Sequence, residues 1–324
     1  MASRASGPGR VAVSLIALAP AAYVGWRVAR WALVDAGWGV IADRYRFILF
    51  GAYPIAEQWR PAIVCLLFAV PFGLTVARAK WSRGVVAAWI ATETTAVLLM
   101  HGGFAGLPEV PHDVWGGLPL TLMLSTTSFT LAMPVAIVLA FGRRSPMPAV
   151  RALCSAWIEL IRGIPLVALL FMASVLVPLC LPDTLVIDKA IRIVLTFAVG
   201  VAAYEAEVVG AGIDGVPAAQ RDAAAALGLS PIQTAVQIVL PQAIGASMPA
   251  TINTFMAYFK DTTLVMIVGF FDLLGAAHAA IADGRWAGYG VEVYVFTALI
   301  YGVLCHAIAR GGARLERGAD GVSA

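Results

Sequence analysis

Charge is scarce in this chain: only 13% of its 324 residues are Asp, Glu, Lys or Arg, against about 25% in a soluble domain. Lysine is rarest among them. Lys80, Lys189 and Lys260 follow Ala79, Asp188 and Phe259, so no Gly-Lys-Ser/Thr turn exists to hold a nucleotide's phosphates. ATP hydrolysis on this chain is thereby excluded. The four cysteines, Cys65, Cys154, Cys180 and Cys305, lie singly in apolar stretches without a CxxC pair, which excludes a zinc site or disulfide framework and leaves them as small buried hydrophobes. His101, His112, His278 and His306 have no metal-ligand spacing such as HExxH. No polybasic stripe is present, so no nucleic-acid partner is expected. No constellation of nucleophile, base or metal ligand suggests an enzyme or a cofactor.

What the chain has in quantity is hydrocarbon. Sixty per cent of it is hydrophobic and its mean hydropathy is +0.86, well above the roughly 45–50% apolar content of soluble domains. The bilayer is therefore its first partner. A spanning helix needs about 20 apolar residues, and eight segments come close: 11 to 34, 61 to 79, 84 to 105, 116 to 141, 153 to 180, 191 to 212, 243 to 269 and 291 to 309. The fold class expected is all-α and polytopic. Val11 to Trp26 follows Arg4 and Arg10 like a signal peptide, but Arg27 and Arg30 come next in place of a small-residue cleavage site, so it reads as an uncleaved first helix.

Lys and Arg concentrate on the cytoplasmic side of membrane proteins. With both termini inside, Arg4, Arg10, Arg78, Lys80, Arg83, Arg143, Arg144, Arg151, Arg221, Arg310, Arg314 and Arg317 are cytoplasmic, against Arg44, Arg46, Arg60, Lys189, Arg192 and Arg285 outside. Both ends are expected in the cytoplasm. The chain divides into an extension, 1–112, with three spans; a core, 113–312, with five; and a cytoplasmic tail, 313–324.

Between the sixth and seventh spans, residues 214–242 carry the sharpest punctuation. Pro217 suits a first helical turn, the alanine-rich Asp222 to Leu227 favours helix, and Gly228 suits a left-handed cap. Ser230, Pro231 and Gln233 form a Ser-x-x-Gln capping box with proline at the first helical position. This second helix is expected to stop at Leu240, before Pro241.

This segment resembles the cytoplasmic signature of the permeases of bacterial ATP-binding-cassette importers: Glu-Ala-Ala, three residues, Gly, nine residues, Ile, one residue, Leu-Pro. Here the pattern is Asp222, Ala223, Ala224, Gly228, Ile238, Leu240 and Pro241, with Asp222 as the one departure. Small alanines permit close approach and the glycine permits a sharp turn. Tyr204-Glu205-Ala206-Glu207, Arg162-Gly163-Ile164-Pro165 and Lys260-Asp261-Thr262-Thr263-Leu264 resemble the polar amino-acid branch, and the extension looks like that of a general L-amino-acid permease. Gly210-Ala211 and Ala219 depart from that branch's usual Arg-Gly pair and glycine.

The resemblance implies a type I importer core that couples ATPase motion to the translocation pathway through the motif residues. It implies a dimer of ATPase subunits, a second permease in a heterodimer and a periplasmic amino-acid-binding protein as partners, in the bacterial inner membrane. A secondary transporter would instead show inverted repeats with matching unwound segments. No such pairing is found, and it would leave the loop motif unexplained.

Ionisable residues inside spans are costly and point to function. Glu159 and Arg162, three apart, can face each other as a structural pair or meet substrate directly. Lys260 and Asp261 cannot face each other on a regular helix, which suggests either a break or tilt near Pro249 or residue 260 that meets a zwitterion, or an ordinary polar helix end. Glu205 and Glu207 suit an inner hinge, and Glu93 and Glu292 suit structural roles.

Overall fold

The computed structural model describes residues 8–78, 83–182, 184–282 and 284–320. Arg4, Lys80 and residues 321–324, used above to orient the chain and define its tail, lie outside them. The chain is built from α1 (Pro8–Arg30), α2 (Gly39–Phe50), α3 (Trp59–Leu67), α4 (Ala69–Arg78), α5 (Arg83–His101), α6 (Gly117–Gly142), α7 (Pro148–Gly163) and α8 (Leu166–Phe171). There follow α9 (Val177–Cys180), α10 (Lys189–Gly215), α11 (Ala218–Ala226), α12 (Pro231–Gln233), α13 (Leu240–Asp261), α14 (Leu273–Ala280) and α15 (Gly290–Asp320).

Among the described residues six helical stretches are long and apolar enough to cross a membrane: Ile55–Ala77, Arg83–His101, Gly117–Gly142, Lys189–Gly215, Pro231–Val268 and Gly290–Glu316. The fifth expected span, 153 to 180, is not straight. It is the pair α7 and α8–α9, bent by 96°. Pro165 supplies the cause: its ring excludes the helical conformation from the preceding residue, and Ile164 is extended at φ −98°, ψ 129°. Counting that pair as one gives seven spans among the described residues, against eight expected. The remaining segment is α1, a helix of 23 residues whose described side chains, from Leu18 to Arg30, are all exposed.

The core is centred on α10, which packs along α6 on one side and α13 on another. Leu124, Ile193, Phe197, Val201, Tyr258 and Val265 are buried together there. Asp188 begins α10 by accepting the backbone N–H groups of Ala190 and Ile191 at 2.8 and 3.4 Å, two of the donors that a helix start leaves orphaned. The extension joins the core twice. Tyr53, Val64, Ala96 and Met100 pack with Trp115 and Met123 at the start of α6, while Val40 and Ile48 of α2 pack on Leu273, Ala277 and Val293.

These two contacts converge on a knot of backbone. Gly116 and Gly117 bridge Phe271 and Asp272 in parallel, and Gly117, at φ +68°, lies so close to Leu49 that a Cβ would overlap its carbonyl. Asp272 is fully buried. It accepts from Gly275 N–H at 2.8 Å, Thr262 Oγ1 at 3.0 Å and the Tyr301 hydroxyl at 2.9 Å. A buried carboxylate needs that satisfaction, and it pins the 262–282 segment against α15.

Candidate functional site

At the opposite end of α10 from Asp188, the chain turns through Val216 and Pro217 into α11. The Arg221 guanidinium donates to the Ile213 carbonyl at 2.8 Å, which ties α11 back to the helix it leaves. Gly228 takes φ +76°, its N–H donates to the Ala225 carbonyl at 2.9 Å, and that of Leu229 donates to Ala224 at 3.1 Å. This is the left-handed C-terminal cap that glycine favours. Ser230 and Gln233 then form the reciprocal capping box, at 2.8 and 3.3 Å.

The helix does not stop before Pro241. Thr234–Val239 widens to a π-helix and runs directly into α13, with Pro241 in its first turn. The wider turn accommodates a residue that lacks an N–H and would otherwise crowd the preceding turn. Pro249 likewise sits inside an unbroken α13. The change of helix type comes at Thr262–Val268, which is 3-10.

Ala224 is buried, whereas Asp222 and Ala223 are exposed, and Asp222 pairs with no side chain among the described residues. Around them Leu227, Ile232 and Val236 stand 81%, 76% and 55% exposed. Ile238 and Leu240 are half-buried beneath this surface and Pro241 is exposed.

Behind the loop lies an ion-pair network. Glu207 of α10 accepts from Arg143, just past α6, and from Arg162 of α7 at 2.8 Å. Arg143 also reaches Glu159 at 3.4 Å. The Glu159–Arg162 pair that the spacing allowed is not formed: Glu159 meets Arg143 from the end of α6, and Arg162 meets Glu207 of α10. Arg144 grips Asp214 through both carboxylate oxygens, 2.7 Å for Nε to Oδ1, and donates to the Ala140 carbonyl at 3.0 Å. Sequence reasoning missed both roles: Arg143 and Arg144 counted only toward orientation, and no local spacing links residues 64 and 70 positions apart.

A cleft of about 430 Å³ opens at the α7–α8 bend, lined by Arg162, Gly163, Ile164 and Pro165 on one side and by Gly200, Tyr204, Thr254, Tyr258 and Asp261 on the other. Arg162 stacks over the Tyr204 ring at 5.3 Å. Of the four pathway candidates, the cleft brings together Arg162 and Asp261. It leaves Glu159 with Arg143 and Lys260 exposed outside it. Glu205 is fully buried between α10 and α13, accepting from Thr251 at 3.0 Å, while Glu93 accepts from Thr126 and Thr127 and Glu292 from the Gly37 N–H at 3.0 Å.

The family model of the binding-protein-dependent transport system inner membrane component matches residues 132–320. The chain belongs to this family. It is 39% identical over 282 residues to the inner membrane amino-acid ABC transporter permease protein YhdY of Escherichia coli, covering 86% of this chain and 77% of that one. It is 38% identical over 246 residues to the glutamate/glutamine/aspartate/asparagine transport system permease protein BztC of Rhodobacter capsulatus, covering 76% of this chain and 55% of that longer one. A crystal structure of an amino acid ABC transporter with histidines matches at a TM-score of 0.54 and 27% identity, over 62% of this chain and 91% of that chain. The chain is thus a multi-span permease subunit of the inner membrane, and its family implies an ATPase and a further permease as partners.

Proposed function

We propose that this permease carries amino acids, that its 214–242 loop receives the motion of a separate ATPase dimer, and that Arg162 and Asp261 face the translocation pathway. The carrying observation is the continuity between loop and cleft. The coupling segment turns out of α10 at Val216–Pro217 and, beyond the Gly228 cap, runs as continuous helix from Pro231 into α13, and α10 and α13 supply Gly200, Tyr204, Thr254, Tyr258 and Asp261 to the cleft.

Leu227, Ile232 and Val236 form an exposed apolar patch on the loop, the kind of surface that marks a docking site; Asp222 beside it offers a carboxylate to a basic or amide partner. The cleft presents to the two ends of a zwitterion one cationic side chain, Arg162, which also holds Glu207, and one anionic side chain, Asp261. In the isolated chain this face leaves Tyr204 42% exposed beside a charged residue, which hydrocarbon would not tolerate. A second, similar permease facing this side, with a heterodimer expected, would enclose a polar path. A periplasmic amino-acid-binding protein would deliver substrate to the outer end, and both termini would lie in the cytoplasm.

The test is uptake by the reconstituted importer with Arg162→Gln and Asp261→Asn. Each should raise KM for amino acids at least tenfold while binding-protein-stimulated ATPase activity survives. Unchanged KM in both variants refutes the pathway assignment.

A further inference from the structure

A second cavity lies away from the cleft, in the seam between extension and core. It is a groove of about 330 Å³ with one wall from α5 at Val97, its floor from α6 at Leu120, Leu124 and Thr127, and its other wall from α10 at Ile191 and Val194. A volume near 300 Å³ or more is that of a ligand site, and this lining is almost wholly apolar. Its edges at Val97, Leu131, Ile191 and Leu195 are 43%, 46%, 52% and 50% exposed, so it opens sideways.

The direction of that opening follows from α10. At about 100° per residue, Ile191 and Leu195 stand roughly 140–180° around the helix from Gly200 and Tyr204. The groove therefore faces away from the cleft and toward the hydrocarbon of the bilayer.

One end of the groove is charged. His112 and Asp188 line it, with their side chains 3.6 Å apart. His112 also stacks on His101. Lys189 lies over the ring of Phe270, another lining residue, at 5.2 Å. Asp188 is engaged by the start of α10 and by His112. Lys189 does not itself line the slot; it stands beside it over Phe270 and has no carboxylate partner among the described residues.

An apolar slot open to hydrocarbon, with an ammonium beside its polar end that meets no carboxylate among the described residues, is complementary to one molecule above others. We propose that the groove binds a membrane phospholipid, one acyl chain lying between α5 and α10 and the phosphate meeting Lys189, so that lipid mortars the extension to the core. The charge complementarity selects a phosphate-bearing lipid over a neutral diacylglycerol of the same chains.

The probe is phosphatidylglycerol with a photoactivatable diazirine on one acyl chain, used on the complete importer in vesicles of phosphate-free galactolipid, with crosslinks mapped by mass spectrometry. Crosslinks should concentrate at Leu131, Ile191 and Leu195 and be displaced by unlabelled phosphatidylglycerol. Lys189→Gln should raise the competitor needed for half-displacement about fivefold, the effect of one lysine near a phosphate. Val97→Trp or Leu195→Trp, each entering from an exposed edge, should abolish the crosslinks while leaving the complex assembled by size-exclusion chromatography. Crosslinks spread evenly over the lipid-facing surface, an equal response to the diacylglycerol probe, or a helix of the partner permease filling the groove would each overturn the proposal.

Discussion

Substituting Gly228 separates backbone geometry from contact at the coupling loop. The residue holds φ +76° and nothing lies within 4 Å of a Cβ placed there, so a Cβ meets open space within this chain and its cost is conformational. For an L-residue the left-handed region costs about 1–2 kcal/mol; asparagine tolerates it best and a β-branched residue worst. Two hydrogen bonds, from the N–H groups of Gly228 and Leu229, hold the bend with roughly 1 kcal/mol net each. Alanine should bring bent and unbent loops near parity, and valine should tip the balance toward the unbent form. Amino-acid uptake per ATP hydrolysed in reconstituted importer should fall in the order Gly, Asn, Ala, Val, with alanine down about two- to threefold and valine about tenfold or more. Membrane insertion should stay constant, since the lesion touches no span, and a conservative Ile281→Val change should have no effect. If instead the ATPase surface crowds residue 228, asparagine, being larger, would do worse than alanine. That order, or normal coupling in Gly228→Val, would refute the reasoning.

The Arg144–Asp214 pair predicts a thermodynamic coupling. Single changes Arg144→Gln and Asp214→Asn should each lower transport, the double change should cost little more, and the cycle should yield about 1 kcal/mol, kept modest because the Asp214 side chain is 64% exposed; additive losses would show that the pair does not act as a unit. At the other end of the molecule, Gly117→Ala must fit a Cβ against the Leu49 carbonyl at positive φ. It should lower the melting temperature of the purified chain by several degrees, and an unchanged melting curve would mean the backbone knot is not a stabilising contact.

The sequence showed local structure well and relative placement poorly. Gly228 and the Ser230–Gln233 box could be read because each rests on partners three residues away, and the spans could be read because hydropathy is additive along a helix. The 96° bend was also legible in principle: Pro165 bars Ile164 from helix, yet the apolar run on both sides favoured one straight span. The Glu159–Arg162 pairing failed for a different reason. Spacing of three places two side chains on one helix face, but says nothing of what a neighbouring helix presents. Arg143, just past α6, and Glu207 of α10 take both partners. Pro241 misled because a π-helix can absorb it, a solution that no composition signal announces.

The same placement explains why this loop is mechanically suited to the proposed coupling. Its two ends continue as α10 and α13, packed against each other along their length, so a force on α11 enters both cleft-lining helices together. The opposing wall, α7–α8, joins them there through Glu207 and the Arg162–Tyr204 stack, and the bend at Pro165 separates its two halves. Glu207 bridges Arg143 and Arg162 at this junction, so a rotation of α10 must stretch or exchange those contacts before the cleft can change width. In the proposed coupling these ion pairs would set a threshold for motion that α10 would carry: 27 residues give an element of about 40 Å, fastened by Arg144 and Arg221 at the loop and capped by Asp188 at the other end.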